Sequence, residues 1–217
     1  RLKDGKISGK KIPVTDGDIA THAIVLVKDG SGESLVIVDL NQSGVSRQAI
    51  KTLEPTRSHA TISFDGAAAE LLGEAGNGMA LLDQINDRAA VLIAFEQLGG
   101  ASRCLEMANS YAKERVAFGR AIGGNQAIKH KLADMYVKNE VARSNAYYGA
   151  WALSSNAAEL PEAAAAARVA ASEAFWFASK ENIQTHGGMG FTWEVVQAGS
   201  PAVWKEKLVS ALEAKNG

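Results

Sequence analysis

The spacing of apolar residues changes once along this chain, near Gly78, and that change restricts the fold to a strand-rich part followed by a helical part. Residues 22–28 are rich in Ile, Val and Leu, Asp29-Gly30-Ser31-Gly32 supplies a turn, and Ser34-Leu35-Val36-Ile37-Val38-Asp39 follows. β-branched runs flanking a glycine-bearing turn predict a hairpin. Residues 44–50 and 59–64 predict two more short strands, separated by Glu54-Pro55-Thr56-Arg57. From Met79 onward the apolar positions fall at Leu81, Leu82, Ile85, Ala89, Leu92 and Ile93, which is helical spacing. Ile128, Leu132, Met135, Ala142, Ala146 and Leu153 form a second helical stripe. Residues 163–178 are strong helix formers, with Pro161 where a first-turn proline is tolerated. Ser200-Pro201 repeats that start signal before Trp204, Leu208 and Leu212. The expected class is therefore α+β: a small antiparallel β barrel or sandwich, then an antiparallel four-helix bundle. Residues 67–78, with three glycines, mark the expected boundary, giving domains at 1–72 and 73–217.

With 217 residues, 47% of them hydrophobic, the chain can bury a substantial core. A formal net charge of -1 gives no reason to expect a nucleic-acid or anionic-membrane partner. The single cysteine, Cys104, excludes an intramolecular disulfide and suits a reducing, cytoplasmic compartment; on a helix it reads as a small apolar residue. No apolar run reaches membrane-spanning length, and no metal site is expected. The opening, Arg1-Leu2-Lys3, has neither an initiator Met nor a signal peptide, so the start reads as cut, processed or incompletely represented.

Two places carry residues suited to chemistry. Gln184-Thr185-His186-Gly187-Gly188-Met189-Gly190-Phe191-Thr192-Trp193-Glu194 closes the alanine-rich helix with three glycines in four positions. Such a cluster ends a helix, and it also lets backbone N–H groups approach a ligand without Cβ obstruction. Arg115, Phe118 and Gly119, at the end of the first long helix, put a cation, an aromatic ring and a bend together. Arginine offers two-point donors to phosphate. The plainer alternative is a surface Arg near a helix C-terminus, with Phe118 anchored in the core.

Tyr111-Ala112-Lys113-Glu114-Arg115-Val116-Ala117-Phe118-Gly119-Arg120, then Gln126-Ala127-Ile128-Lys129-His130-Lys131-Leu132-Ala133-Asp134-Met135, then the glycine segment, resemble in order and spacing the C-terminal helical domain of acyl-CoA dehydrogenases. These are flavin enzymes. The resemblance implies a partial middle β-domain over 1–72 followed by the helical domain, without the wholly helical domain that comes first in the family. It implies that Arg115 and Phe118 contact the adenosine diphosphate part of FAD bound mainly by a neighbouring subunit. It further implies that Gln184, Gly187 and Gly188 meet the same FAD from the other side of the subunit interface, with Gln126 close by. Gly9-Lys10-Lys11-Ile12-Pro13-Val14-Thr15-Asp16-Gly17 is similar to the family's middle-domain strand, in which a Thr hydroxyl bonds the flavin ring; Thr15 holds that place. Pro13 and Asp16 stand where the family has Trp and Asn.

The implied reaction is α,β-desaturation of an acyl-CoA thioester, with electrons leaving through an electron-transfer flavoprotein. The catalytic base remains unassigned. One family position falls near Ala89, which has no acid; Asp87, Glu96 and Glu194 lack a reason to be chosen. The family segment carrying the other base, about twenty residues beyond the glycines, reads as missing after Glu194. The alternative reading is therefore a non-catalytic partner subunit of a heteromeric acyl-CoA dehydrogenase, which completes the FAD site. Alanine-rich helices bearing Trp151, Trp176 and Trp204 predict association of chains into a homo- or heterotetramer.

Overall fold

The computed structural model describes residues 1–52 and 57–192. Two compact units divide the described chain, one comprising residues 1–85 and the other 86–192.

In the first unit the expected hairpin forms as β3 (His22–Asp29) and β4 (Gly32–Asp39), paired antiparallel from His22↔Asp39 to Asp29↔Gly32. Its turn is held by one carboxylate: Asp29 Oδ1 accepts from the Ser31 N–H at 2.7 Å, and Oδ2 accepts from the Ser34 hydroxyl at 2.5 Å. These bonds to the charged form, the Ser34 hydroxyl first, hold the Asp29 carboxyl below its ordinary value. Strands β1 (Leu2–Lys3), β2 (Lys6–Thr15), β5 (Val45–Ile50) and β6 (His59–Ala68) form a second sheet in the order β1-β2-β6-β5. β7 (Glu70–Leu72) joins the hairpin sheet beside β4. Ile7, Ile62 and Phe64 of one sheet share a buried core with Val25, Val27, Val36 and Val38 of the other. Two open antiparallel sheets over one core make a sandwich; the barrel alternative does not form among the described residues.

The stretch read from sequence as a glycine-rich boundary is more structured than its composition implies. Its residues through Leu72 lie largely in β6 and β7. A Cβ on Gly78 would come within 2.6 Å of the Ser34 backbone, and the Gly76 N–H donates to Ser34 Oγ at 2.8 Å. The open edge of β4 recruits β7, a three-residue strand of Glu70, Leu71 and Leu72 too short and unbranched to carry a strand signal of its own.

The second unit is built from α1 (Gly78–Glu114), whose first residues through Ile85 belong to the strand-rich unit, with α2 (Gln126–Ser155) and α3 (Leu160–His186). The expected helical stripes are present. Ala94, Ala101, Ala108, Ala142, Ala146, Ala171 and Ala178 are fully buried with Leu98 and Met135. Small side chains let the helices approach closely: a Cβ on Gly149 would press Val91 Cγ2 at 3.2 Å and Ala167 Cβ at 3.3 Å. Asn156, in the left-handed region at φ 48, stops α2, and Pro161 opens α3 in its first turn. So short a connection makes α2 and α3 antiparallel neighbours. Cys104 is wholly buried, and desolvation pushes its thiol pKa up, as befits a packing residue. The fourth helix expected after Ser200-Pro201 lies outside the described residues. Among those described, no helix is long and apolar enough to cross a membrane.

Candidate functional site

The C-terminus of α1, the N-terminus of α2 and the C-terminus of α3 meet at one end of the helical unit. Tyr111 in the last turn of α1 stacks on His186 in the last turn of α3, with ring centroids 4.2 Å apart and planes at 26°. Lys131 of α2 reaches Glu181 of α3 at 2.6 Å. This end gathers six of the seven residues expected to face a cofactor.

Between α1 and α2 the chain makes a tight hairpin from β8 (Val116–Ala117) and β9 (Arg120–Ala121). Its base closes with the Ile122 N–H donating to the Arg115 carbonyl at 2.9 Å. The two turn residues, Phe118 and Gly119, have φ of 54 and 82, the left-handed pair that a two-residue hairpin requires. Such a conformation is unfavourable for a phenylalanine, and the ring stands fully in solvent. The alternative of Phe118 as a core anchor is thereby overturned. A turn at the tip of a projecting hairpin has no core within reach.

Arg115 is exposed, and its backbone N–H continues the helix by donating to the Tyr111 carbonyl at 2.8 Å. Its guanidinium makes no hydrogen bond or ion pair among the described residues. Arg120, by contrast, donates to the Asn125 side chain. That bond occupies the side chain of Asn125, the residue before α2, and no side chain caps the helix. Gln126, the first residue of α2, is exposed there. Lys113, Arg115, Arg120 and Lys129 have only Glu114 as a countercharge between residues 113 and 129, while Lys131 is taken up by Glu181; the surplus of cations favours an anion.

The glycines after α3 divide into distinct roles. Gly187 ends the helix at φ 59 and ψ -134, a conformation accessible to little but glycine. A Cβ on Gly187 or Gly188 would meet nothing within 4 Å, so both backbones border open space. Gly190 is a packing glycine, since a Cβ there would collide with the Ile183 carbonyl. Gln184 is exposed on the last turn of α3.

Thr15 belongs to the strand-rich unit. It is the last residue of β2, paired with His59, and its hydroxyl lies 3.4 Å from His59 Nε2. It borders a cleft of about 510 Å³, with Ile12, Val14, Ile24, Phe64 and Leu82 among the lining residues. Asp16, beside it, pairs with Arg57 at 3.8 Å. Along α1, Ala89 and Asp87 are half-buried and Glu96 is exposed; none gains a partner that marks it as a base. Glu194 lies outside the described residues.

Sequence reasoning missed the two contacts that bring this end together. Tyr111 and His186 sit inside the motif segments, but nothing in their spacing says that they stack. Lys131 and Glu181 are fifty positions apart, and only the antiparallel pairing of α2 and α3 joins them.

A sequence model described as the acyl-CoA dehydrogenase C-terminal domain matches residues 76–204. Over 181 residues the chain is 40% identical to acyl-CoA dehydrogenase IpdE2 of Mycobacterium tuberculosis, covering 83% of this chain and 50% of that protein. Its fold matches butyryl-CoA dehydrogenase from Megasphaera elsdenii with a TM-score of 0.84 at 27% identity, covering 94% of this chain and 55% of the other. A steroid ACAD, Tcur3481-Tcur3483, matches with a TM-score of 0.81 at 28% identity, covering 97% and 57%. The chain spans about half the length of these relatives. On the extent of the domain match and the identity shared with full-length members, the chain belongs to the acyl-CoA dehydrogenase family.

Proposed function

We propose that residues 1–72 and 73–217 are the middle β-domain remainder and the C-terminal helical domain of an FAD-dependent acyl-CoA dehydrogenase. The observation that carries this reading is the Arg115 guanidinium, without a partner among the described residues, near the solvent-facing Phe118 and at the same end of the helices as the open Gly187-Gly188 backbone. A free cation, an exposed ring, two carboxamides and unobstructed glycines fit a ligand that is both anionic and aromatic, as the adenosine diphosphate part of FAD is.

In this reading Arg115, with its two-point donors, would hold the pyrophosphate and Phe118 would offer an apolar face beside it. Gly187 and Gly188 let the chain approach closely, while Gln126 and Gln184 supply amide donors and acceptors. Thr15 would hold the flavin ring through its hydroxyl. FAD, when bound, supplies the acceptor for the hydride that leaves the β carbon of an acyl-CoA thioester. An electron-transfer flavoprotein is the expected onward electron acceptor. Tyr136, Val137, Tyr147, Tyr148 and Trp151 leave apolar surface on α2 that fits assembly of subunits, a tetramer in this reading.

A second reading, the non-catalytic partner subunit, is favoured by one observation: the helical position at Ala89 carries no acid, and no other described carboxylate takes its place. Both readings require flavin. The visible spectrum of the purified full-length assembly tests that, with a yellow, flavin-loaded protein expected and a colourless protein that takes up no FAD as the contrary result. Adding acyl-CoA without oxygen then separates the two. The catalytic subunit bleaches its own flavin, whereas a partner subunit does so only after its companion is supplied.

A further inference from the structure

We infer that Tyr111 and His186 are positioning residues for the cofactor site, a paired device that fixes the Arg115 side of the site relative to the Gly187-Gly188 side. The inference rests on the FAD reading given above and goes beyond it by assigning a role to two residues that touch no ligand in that reading.

Each residue is coupled to a site segment by a short, directional connection. The Tyr111 carbonyl accepts the Arg115 N–H at 2.8 Å, so the turn that carries Tyr111 also places Arg115 and the base of the hairpin. His186 directly precedes Gly187, where the chain leaves the helix. His186 Nδ1 lies 2.9 Å from the Asn182 carbonyl; a carbonyl only accepts, so Nδ1 carries the proton and the ring plane is set. Against that fixed ring Tyr111 stacks at 4.2 Å and 26°.

The surroundings leave the pair little freedom. His186 is buried and Tyr111 half-buried. The turn beneath His186 is held by the Thr185 hydroxyl donating to the Glu181 carbonyl at 2.7 Å, and Glu181 is tied to Lys131. On the other side, Gly123 packs so closely on α1 that a Cβ there would reach 2.9 Å from the Ala112 carbonyl. The hairpin is anchored on α1 through Gly123 and the Ile122–Arg115 bond, and the glycine turn on α3 through Gly190. The ring stack is the direct side-chain contact between the last turns of the two helices that carry them, and so bears on their separation. A site that grips one ligand from two sides loses affinity when that separation is poorly defined.

The test is FAD titration of full-length, assembled protein carrying Tyr111→Leu, Tyr111→Phe, His186→Ala or His186→Phe. Leu98→Ala serves as a control for loss of stability in the same unit. Removing the stack, by Tyr111→Leu or His186→Ala, is expected to weaken FAD binding about two- to tenfold. Tyr111→Phe, which keeps the ring, is expected to bind as wild type, and His186→Phe to recover part of the loss. Leu98→Ala should lower thermal stability and leave FAD affinity unchanged. In an Arg115→Ala background the Tyr111→Leu effect should shrink, because the stack acts through Arg115. Wild-type affinity in Tyr111→Leu and His186→Ala, with Arg115→Ala impaired, overturns the inference and leaves the FAD reading standing. An Arg115→Ala protein with unchanged affinity overturns both. Should Tyr111→Leu and His186→Ala fail to fold, the ring-preserving variants decide: a Tyr111→Phe protein that folds yet binds FAD as weakly as Arg115→Ala overturns the inference.

Discussion

The Lys131 ammonium lies 2.6 Å from Glu181 Oε2, joining α2 to α3 one turn before the helix that leads to the glycine cluster ends. The two sides of this pair differ in burial: the Glu181 side chain keeps 8% of its exposure and Lys131 keeps 34%. Removing the lysine therefore strands a buried carboxylate, with Lys180 at 3.5 Å as partial compensation. Lys131→Met is expected to cost about 1–3 kcal/mol, below the usual figure for breaking a buried pair because water reaches the ammonium. Glu181→Gln should cost less, since a neutral amide is cheaper to bury. Denaturant unfolding of the two variants checks the order; equal losses would contradict it.

Phe118 separates stability from ligand binding. Its ring touches no core, and its φ of 54 is costly for a side chain of that size. Phe118→Gly should leave the fold unchanged or stabilise it by up to about 1 kcal/mol. In the proposed site the same change removes an apolar face and is expected to weaken FAD binding. Thermal unfolding without FAD, beside a titration with it, gives the two signs.

Two neighbouring glycines should respond in opposite ways. Gly190→Ala drives a methyl into the Ile183 carbonyl and should destabilise the end of α3 in thermal unfolding. Gly188→Ala meets open space, so stability should stay within about 0.5 kcal/mol while FAD affinity falls. A Gly188→Ala protein with undiminished affinity would remove Gly188 from the site.

Asp29 gives a pH dependence of definite sign. Its folded-state pKa lies below the ordinary value of 3.8, because the Ser34 hydroxyl and the turn amides bond its charged form. A depressed carboxyl contributes stability that is fully present above the unfolded pKa and is lost as pH falls through the folded one. The difference in unfolding midpoint between wild type and Asp29→Asn should therefore be constant near neutrality and shrink in acid below 3.8. A difference that grew on acidification would reverse the assignment.

Much of the fold was legible because two periods mark it. The β3–β4 hairpin showed in β-branched runs around Asp29-Gly30-Ser31-Gly32, and α1 to α3 in their apolar stripes and in Pro161. β7 was hidden, since Glu70-Leu71-Leu72 becomes a strand only beside the edge of β4. Arg115 and the open glycines stood out as a cation beside a bend and a cluster after a helix. The exposure of Phe118 did not, because a Phe-Gly pair within a helical pattern reads equally well as a buried stop. Only the positive φ of both residues distinguishes a projecting hairpin. The Tyr111–His186 stack depends on how three helix ends meet, which no local pattern encodes.

The central claim is that Arg115 holds the pyrophosphate of FAD. Titrating full-length apoprotein with FAD, for wild type, Arg115→Ala and Arg115→Lys, measures it directly. Losing a charge-assisted bond to phosphate should cost about 1.5–3 kcal/mol, roughly ten- to a hundredfold in affinity. Arg115→Lys should recover only part, since an ammonium keeps the charge without the planar two-point geometry. Because Arg115 has no partner among the described residues, thermal stability without FAD should be unchanged in both variants. Three equal affinities would contradict the account, leaving Arg115 as a solvated charge at the end of a helix.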